Sequence, residues 1–214
     1  RAETIEVLNP SANRVTQIWK EADRLGAGGA EFGHLALEYQ RTLKTDVLEE
    51  SLSRMAGISQ RVQVMPVPGD ETTNGLGYRT RVQLHVSAEG VAGPYQERTH
   101  NVVPVKSLPL AVSEINELGI HLKNWQDVKR IEIATASTGG VQWFIDKKLK
   151  GDKKLTERAV GRSFRISSGG FWQVHRGAAE LLASEVIELS EGLDPEANNL
   201  DLYGGCLLYT SDAA

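Results

Sequence analysis

The sequence has 214 residues, with 24 Lys and Arg against 28 Asp and Glu, and a formal net charge of −4. Its single cysteine excludes an internal disulfide framework and a cysteine-rich metal site. No apolar run approaches the roughly 20 residues that span a bilayer, and the opening residues do not resemble a signal peptide. We therefore expect a cytoplasmic protein that has no membrane partner.

The N-terminal part of the chain favours a short strand followed by a long helix. Thr4 to Leu8 alternates as a strand does, and no initiator Met precedes it. From Leu35 to Met55, apolar residues recur at three- and four-residue steps, which predicts a helix, and Gly57 is a typical stop.

Strand patterns dominate the middle of the chain. Residues 79–86 alternate strictly, which predicts one apolar face and one polar face. Pro109 to Leu118 suggests a helix with Pro in its first turn. Ile131 to Ile145 predicts a hairpin that turns at Gly139-Gly140. The polar face of the first strand consists of Arg79, Arg81, Gln83 and His85.

Positive charge is concentrated between residues 147 and 165, although the whole chain is acidic. Segregation of this kind permits a basic face for nucleic acid, and the alternative is a hairpin whose charges are only solvated. The cationic residues are Lys147, Lys148, Lys150, Lys153, Lys154, Arg158, Arg162 and Arg165.

The pattern changes near residue 164. Arg176 to Leu189 favours a helix, and Asn198 to Tyr203 favours a strand that ends on glycines. A strand ending in this way begins the first cofactor-facing loop of many α/β nucleotide-binding domains. The predicted apolar face of the helix consists of Ala179, Leu182, Val186 and Leu189.

Four motifs in order resemble the bacterial RNA uracil carbon-5 methyltransferases, which use S-adenosylmethionine. The family's Phe-x-Gln-Val-Asn segment appears as Phe171-Trp172-Gln173-Val174-His175. Its first cofactor motif, Asp-Leu-Tyr-Cys-Gly, appears as Asp201-Leu202-Tyr203-Gly204-Gly205. Its Tyr-Arg-x-Arg strand appears as Tyr78-Arg79-Thr80-Arg81, and the segment around Leu108-Pro109-Leu110 also resembles the family, without its cysteine.

The sequence departs from the family at its iron–sulfur motif. The Cys-Gly-Gly-Cys of many members appears as Ala27-Gly28-Gly29-Ala30. Because thiolates are the ligands of such clusters, we expect no iron–sulfur cluster. His175 replaces the family's Asn and Gly204 replaces its Cys.

The resemblance implies an α+β central domain followed by the start of an α/β Rossmann-like methyltransferase domain. Residues 1–60 would be an N-terminal segment with the long helix, the remnant of a region after a missing TRAM/OB domain. Residues 61–163 would form the central RNA-binding domain, and residues 164–205 the start of the methyltransferase domain. Residues 206–214, which include Cys206, fit nothing in the family and are interpreted as a non-native tail.

The resemblance also implies methyl transfer from S-adenosylmethionine to carbon-5 of a uridine in rRNA or tRNA, by a monomer. In the family, a cysteine adds to the base and a carboxylate removes a proton. Both lie beyond the cofactor motif, so no catalytic residue is assigned and the chain alone is expected to be inactive. Gln173, Asp201, Tyr203, Gly204 and Gly205 would bind the cofactor. Phe171, Arg79 and Arg81 would contact RNA.

Structural alternatives to these functional assignments remain open. Gln173 could cap a strand end, Tyr203 could be a core residue, and at least one of Arg79 and Arg81 could be merely solvated. As a whole, the chain could be a noncatalytic RNA-binding module. A nicotinamide-dependent oxidoreductase is a third possibility, but the glycine-rich turn that it requires is not evident.

Overall fold

A computed structural model describes residues 6–167 and 169–194. The chain forms two compact units. Of the described residues, the first unit contains those up to Gly75 together with Pro94–Val103, and the second contains Leu76–Gly93 and those from Pro104 onward. The strand predicted over Thr4 to Leu8 is wrong where the structure describes it, because residues 6–8 form no strand. Thr4, Ile5 and the whole motif at residues 201–205 lie outside the described residues. The domain boundaries predicted from the sequence remain predictions.

The first unit is helical. Helix α1 covers Lys20–Leu25, α2 covers Leu37–Ala56 and α3 covers Asp70–Thr73. Helix α2 confirms the long helix expected from the sequence. It ends at Gly57, which takes the left-handed conformation and donates its N–H to the Ser53 carbonyl, while Ile58 donates its N–H to the Leu52 carbonyl. No residue of α2 is buried, and three of its apolar side chains, Val47, Leu48 and Met55, are exposed.

The loop that resembles the cluster motif is built into the first unit by backbone hydrogen bonds. Gly28 donates its N–H to the Tyr95 carbonyl at 2.9 Å, and Ala27 donates to the Glu21 carbonyl at 3.2 Å. The methyl groups of Ala27 and Ala30 are buried. A Cβ added to Gly28 would lie 3.0 Å from the Tyr95 carbonyl oxygen, so the close approach of the two chains favours glycine there.

The second unit is built on a five-stranded antiparallel sheet in the order β2-β1-β3-β4-β5. Apolar residues such as Leu84 and Ile131 alternate inward and form its core. A short helix α4, Ser113–Glu117, and a 3-10 turn, Ile120–Leu122, accompany the sheet. The strands are β1 Arg81–Val86, β2 Ala92–Gly93, β3 Arg130–Thr135, β4 Val141–Ile145 and β5 Lys148–Gly151.

The predicted hairpin is present, but its predicted two-residue turn is wrong. Thr135 pairs with Val141, so residues 136–140 form a five-residue connection. The reason is that the connection binds a neighbouring strand: Ser137 donates its N–H to the Glu157 carboxylate at 2.9 Å. Gly139 and Gly140, at φ 88° and 91°, reverse the chain at the end of this connection.

The helix predicted over 109–118 is shorter than expected, because it begins only at Ser113. The side chain of Asn116 accounts for the difference. Its Oδ1 accepts the Leu108 N–H at 2.9 Å, and its Nδ2 donates to the carbonyls of Leu108 and Ala111 at 3.0 and 3.2 Å. The side chain thus satisfies backbone groups that a longer helix would have paired.

A separate hairpin, which we call the ribbon, consists of β6 Lys154–Ala159 and β7 Arg162–Ser167. Val160 and Gly161 form its turn, both with positive φ. Helix α5, Ala178–Leu189, confirms the predicted C-terminal helix. Of the predicted apolar face of this helix, Ala179 is buried in a cluster with Trp172, whereas the other members are exposed. None of the described helices has both the length and the apolar character that a membrane span requires.

Candidate functional site

Two of the sequence motifs lie side by side in the second unit, although they are about ninety positions apart in the chain. Thr80 donates its N–H and its hydroxyl to the Val174 carbonyl, at 2.9 and 3.0 Å. Arg176 donates its N–H to the Tyr78 carbonyl at 2.9 Å, and Arg79 pairs with His175 as an antiparallel bridge. The strand entrance 78–80 and the segment 174–176 therefore form one backbone framework.

Aromatic stacking reinforces this framework. The rings of Tyr78 and His175 are stacked, with centroids 4.9 Å apart and planes 17° apart. The Nδ1 atom of His175 also accepts the Gly177 N–H at 3.1 Å, just before α5 begins. His175, which replaces the family's Asn, therefore helps to fix the start of α5.

Arg81 holds the loop that leads into the second motif. Its Nη1 donates to the Gly170 carbonyl at 2.8 Å, and the side chain is half-buried. Arg79 is also half-buried, and its backbone pairs with Leu110 and Val112 on its other side. The structure thus shows a positioning contact for Arg81, whereas RNA contacts by Arg79 and Arg81 remain predictions.

The segment 171–173 alternates between buried and accessible side chains. Trp172 is 5% exposed and packs on Phe164, with ring centroids 5.4 Å apart, so it is a packing residue. Phe171 is 64% exposed, and Gln173 is half-buried. Burial of Trp172 thus anchors the segment and leaves its two neighbours accessible to a ligand.

Gln173 is the one predicted cofactor residue that the structure describes. Its side-chain amide makes no hydrogen bond within residues 6–167 and 169–194, so its donor and acceptor groups are available. An amide of this kind suits a ligand that carries amino, carboxylate or hydroxyl groups. Asp201, Tyr203, Gly204 and Gly205 lie outside the described residues.

An ion pair connects this framework to α4. Arg176 Nη2 lies 3.3 Å from Glu114 Oε1, and both side chains are at least half-exposed. A hydrogen bond from its own backbone N–H lowers the pKa of Glu114 from its ordinary value, with smaller contributions from the Ser113 hydroxyl and from Arg176. Among the described residues, no group of three or more His, Cys, Asp or Glu could hold a metal ion.

Sequence reasoning missed the structural role of Thr80. The signal was present, because Thr80 shares the inward phase of the alternation with Leu84, and it is 7% exposed. The positioning roles of Gly170 and His175 depend on contacts across the chain, which no local pattern contains.

Comparison with known proteins places this framework in context. No protein-family model matches the chain. A curated protein of Streptomyces avermitilis, named as an uncharacterized RNA methyltransferase, is 32% identical over the whole of this chain. A similarly named protein of Streptomyces coelicolor is also 32% identical over the whole chain. This chain is a homologue of bacterial RNA methyltransferases.

A solved structure shares the fold of this RNA methyltransferase homologue. It is a tRNA (uracil-54, C5)-methyltransferase of Pyrococcus abyssi in complex with S-adenosyl-L-homocysteine. The match has a TM-score of 0.62 at 18% identity, and it covers 87% of this chain and 54% of that one. The chain spans 58% and 54% of the two Streptomyces relatives. The comparisons confirm the resemblance to RNA methyltransferases inferred from the motifs.

Proposed function

We propose that this chain belongs to an enzyme that transfers a methyl group from S-adenosylmethionine to carbon-5 of a uridine in tRNA or rRNA. One observation carries the proposal: the Tyr78–Arg81 strand and the Phe171–His175 segment form one framework that leaves Phe171 and Gln173 accessible. The names of the relatives support methyl transfer to RNA, and the name of the structural neighbour specifies uracil carbon-5.

The described residues fit the binding half of such a site. S-adenosylmethionine, when bound, supplies an electrophilic methyl group. The free amide of Gln173 would hold polar groups of the cofactor beside the target base. Phe171 would pack against the flipped nucleotide, because an enzyme that modifies a base must unstack it and hold it against apolar surface.

Arg79 and Arg81 have different parts in this proposal. Arg81 keeps the Gly170 carbonyl in place, and so sets the path of the chain into Phe171. Arg79 would supply charge to RNA phosphates near the strand entrance. The RNA contact predicted for Arg81 is not part of the proposal, because its Nε and Nη2 atoms are buried and its Nη1 binds Gly170. Asp201, Tyr203, Gly204 and Gly205 would complete the cofactor site, and no nucleophile or base is assigned to the described residues.

A chimera tests the proposal. Residues 1–205 are joined to the C-terminal part of the Streptomyces avermitilis relative, and transfer of a radiolabelled methyl group to unmodified bacterial tRNA and rRNA is followed by nucleoside analysis. We expect 5-methyluridine as the product. A different methylated nucleoside, or none from a folded chimera, would contradict the proposed reaction.

The role of Gln173 is tested in the same chimera. Gln173→Ala is expected to lower kcat/KM about tenfold, since a hydrogen bond worth about 1.4 kcal/mol corresponds to that factor. Gln63→Ala is the matched control, because Gln63 is an exposed glutamine of the first unit. An unchanged rate in Gln173→Ala would remove the cofactor role while leaving the reaction intact.

The proposal also covers the noncatalytic alternative, the location of the protein, its oligomeric state and the iron–sulfur cluster. The relatives are named as methyltransferases, so the alternative of a noncatalytic RNA-binding module gains no support from them. We further propose a cytoplasmic monomer without an iron–sulfur cluster, because alanines occupy the positions where thiolates would be needed. Visible cluster absorbance from anaerobically purified protein would contradict the last point.

A further inference from the structure

The two faces of the ribbon differ sharply in chemistry. Its inner face is buried and contains Leu155, Glu157, Ala159 and Ile166. On the outer face, the outward residues of the two strands form cross-strand pairs. Each of these residues either is a cation or carries a hydroxyl. These outward pairs are Lys154 with Ser167, Thr156 with Arg165, and Arg158 with Ser163.

The one acidic residue of the ribbon lies on the inner face. Glu157 is 2% exposed, and its Oε2 accepts the Ser137 N–H at 2.9 Å. The backbone N–H of Arg158 donates to the Ser137 hydroxyl at 2.9 Å, and the Thr138 hydroxyl donates to the Thr156 carbonyl. These contacts fix the ribbon to the β3–β4 connection and keep negative charge off its outer face.

The lysines of β5 have a different explanation. Strand β5 is an edge of the five-stranded sheet, and exposed lysines on an edge strand prevent pairing with other chains. The two strands of the ribbon are edge strands as well. What sets the ribbon apart is that each outward cation faces a hydroxyl side chain across the hairpin.

The chemistry of the face selects RNA over a lipid surface. Binding to a membrane surface combines basic residues with apolar side chains that enter the headgroup region, and the outward pairs of the ribbon contain none of these side chains. Phosphate oxygens are bound by Lys and Arg together with Ser and Thr hydroxyls, which is the composition found here. Phe171, four residues after the end of β7, adds an exposed aromatic surface for a base.

We propose that the outer face of the ribbon, formed by Lys154, Arg158 and Arg165 with the hydroxyls between them, is a binding surface for the RNA phosphate backbone. The inference rests on the proposed function, because it assumes that RNA is the substrate. It adds a surface that orients the RNA beside Phe171.

Salt-dependent binding tests the surface. The triple variant Lys154→Gln, Arg158→Gln, Arg165→Gln is compared with the 214-residue chain, using fluorescence anisotropy of a labelled RNA hairpin with a uridine-containing loop. Each lost phosphate contact lowers the magnitude of the slope of log K against log salt by about 0.7 to 0.9, so the loss of three contacts is expected to lower it by about 2 to 3. The matched control, Lys20→Gln, Lys44→Gln, Lys123→Gln, loses the same charge at exposed sites elsewhere and should keep the slope.

The outcomes separate this proposal from the proposed function. Equal slopes for the ribbon variant and the control, with RNA binding intact, would overturn the ribbon surface alone. No RNA binding by the unaltered chain would overturn both. A third outcome is that the ribbon variant loses binding to vesicles of phosphatidylserine and phosphatidylcholine but keeps its RNA binding. This result would assign the surface to membranes and overturn the proposal.

A second measurement needs no variant, and so holds even if the triple substitution unfolds the ribbon. The unaltered chain is treated with an amine-acetylating reagent with and without the RNA hairpin. We expect RNA to lower the acetylation of Lys154 several-fold and to leave Lys44 unchanged. Equal acetylation of Lys154 in the two samples would overturn the proposal.

Discussion

The two compact units differ in how much apolar surface they bury. Among the described residues, the first unit buries four apolar side chains, Trp19, Ala27, Ala30 and Val103. The second unit contains the other buried apolar residues, including nearly the whole inner face of the sheet. Buried apolar area contributes about 25 cal/mol per Å², so most of the hydrophobic stabilisation of this chain lies in the second unit.

The difference indicates which part of this chain fixes the positions of its side chains by packing. The framework of Tyr78–Arg81 and Val174–Arg176 belongs to the second unit, where packing and backbone pairing act together. Helix α2 of the first unit exposes Val47, Leu48 and Met55 to solvent. Substitutions that remove apolar atoms should therefore have unequal effects in the two units.

The largest effect is expected at the centre of the sheet. Ile131 lies on β3 and is fully buried, so Ile131→Ala should lower the free energy of unfolding by about 3 to 4 kcal/mol through lost burial and the resulting cavity. Leu48→Ala on α2 removes a side chain that is 45% exposed and should cost less than about 1 kcal/mol. Urea denaturation measures both. Equal losses of unfolding free energy for the two variants would show that the apolar side of α2 is covered in solution. That result would contradict the inferred difference in buried apolar surface between the two units.

Two glycines of the second unit allow the cost of a left-handed backbone to be measured separately from the cost of a steric clash. A Cβ at Gly151 would lie 2.5 Å from the Val141 carbonyl oxygen, at φ +82°, whereas at Gly161, φ +73°, it would meet open space. Gly161→Ala should cost about 1 kcal/mol from the left-handed conformation alone. Gly151→Ala should cost about 2 to 3 kcal/mol, because the β4–β5 pair must also shift. Thermal unfolding of the two variants measures the difference, and a larger cost at Gly161 would contradict the clash.

Local periodicity predicted the elements of both units better than their connections. The alternation of residues 79–86 and the helical spacing of residues 35–55 correspond to β1 and α2, because period reflects backbone geometry. The five-residue connection after β3 and the late start of α4 were missed. Both depend on side chains, Glu157 and Asn116, that bind backbone groups outside their own element.

The candidate site could be predicted only in part, for a similar reason. The motifs identified Phe171 and Gln173, and the structure leaves both accessible. The sequence placed Arg81 on a solvent-facing side of the strand, yet its guanidinium reaches the Gly170 carbonyl. That contact joins residues 89 positions apart, and only the tertiary fold determines it.

Within the second unit, arginines on the framework and on the ribbon should differ in their contribution to stability. Arg81→Gln removes a half-buried charged donor from the Gly170 carbonyl and should cost about 1.5 kcal/mol. Arg165→Gln changes an exposed outward residue of the ribbon and should cost less than about 0.5 kcal/mol. Urea denaturation of each variant gives these values. A larger loss for Arg165→Gln would show that the outward face of the ribbon is structurally constrained.

The smallest expected effect concerns the ion pair beside the framework. The folded state lowers the pKa of Glu114, chiefly through its own backbone N–H and then through Ser113 and Arg176. A lowered folded pKa means that the stabilisation is present above the unfolded pKa of a glutamate, about 4.3, and is lost as pH falls through the lower folded value. Because both partners are at least half-exposed, Glu114→Gln should cost at most about 0.5 kcal/mol at pH 7. The difference from the unaltered chain should shrink as the pH falls through the lowered folded pKa of Glu114. Glu117→Gln removes one negative charge from the same helix and controls for net charge. A deficit in Glu114→Gln that persisted at low pH would show that the carboxylate's ionisation is not its source.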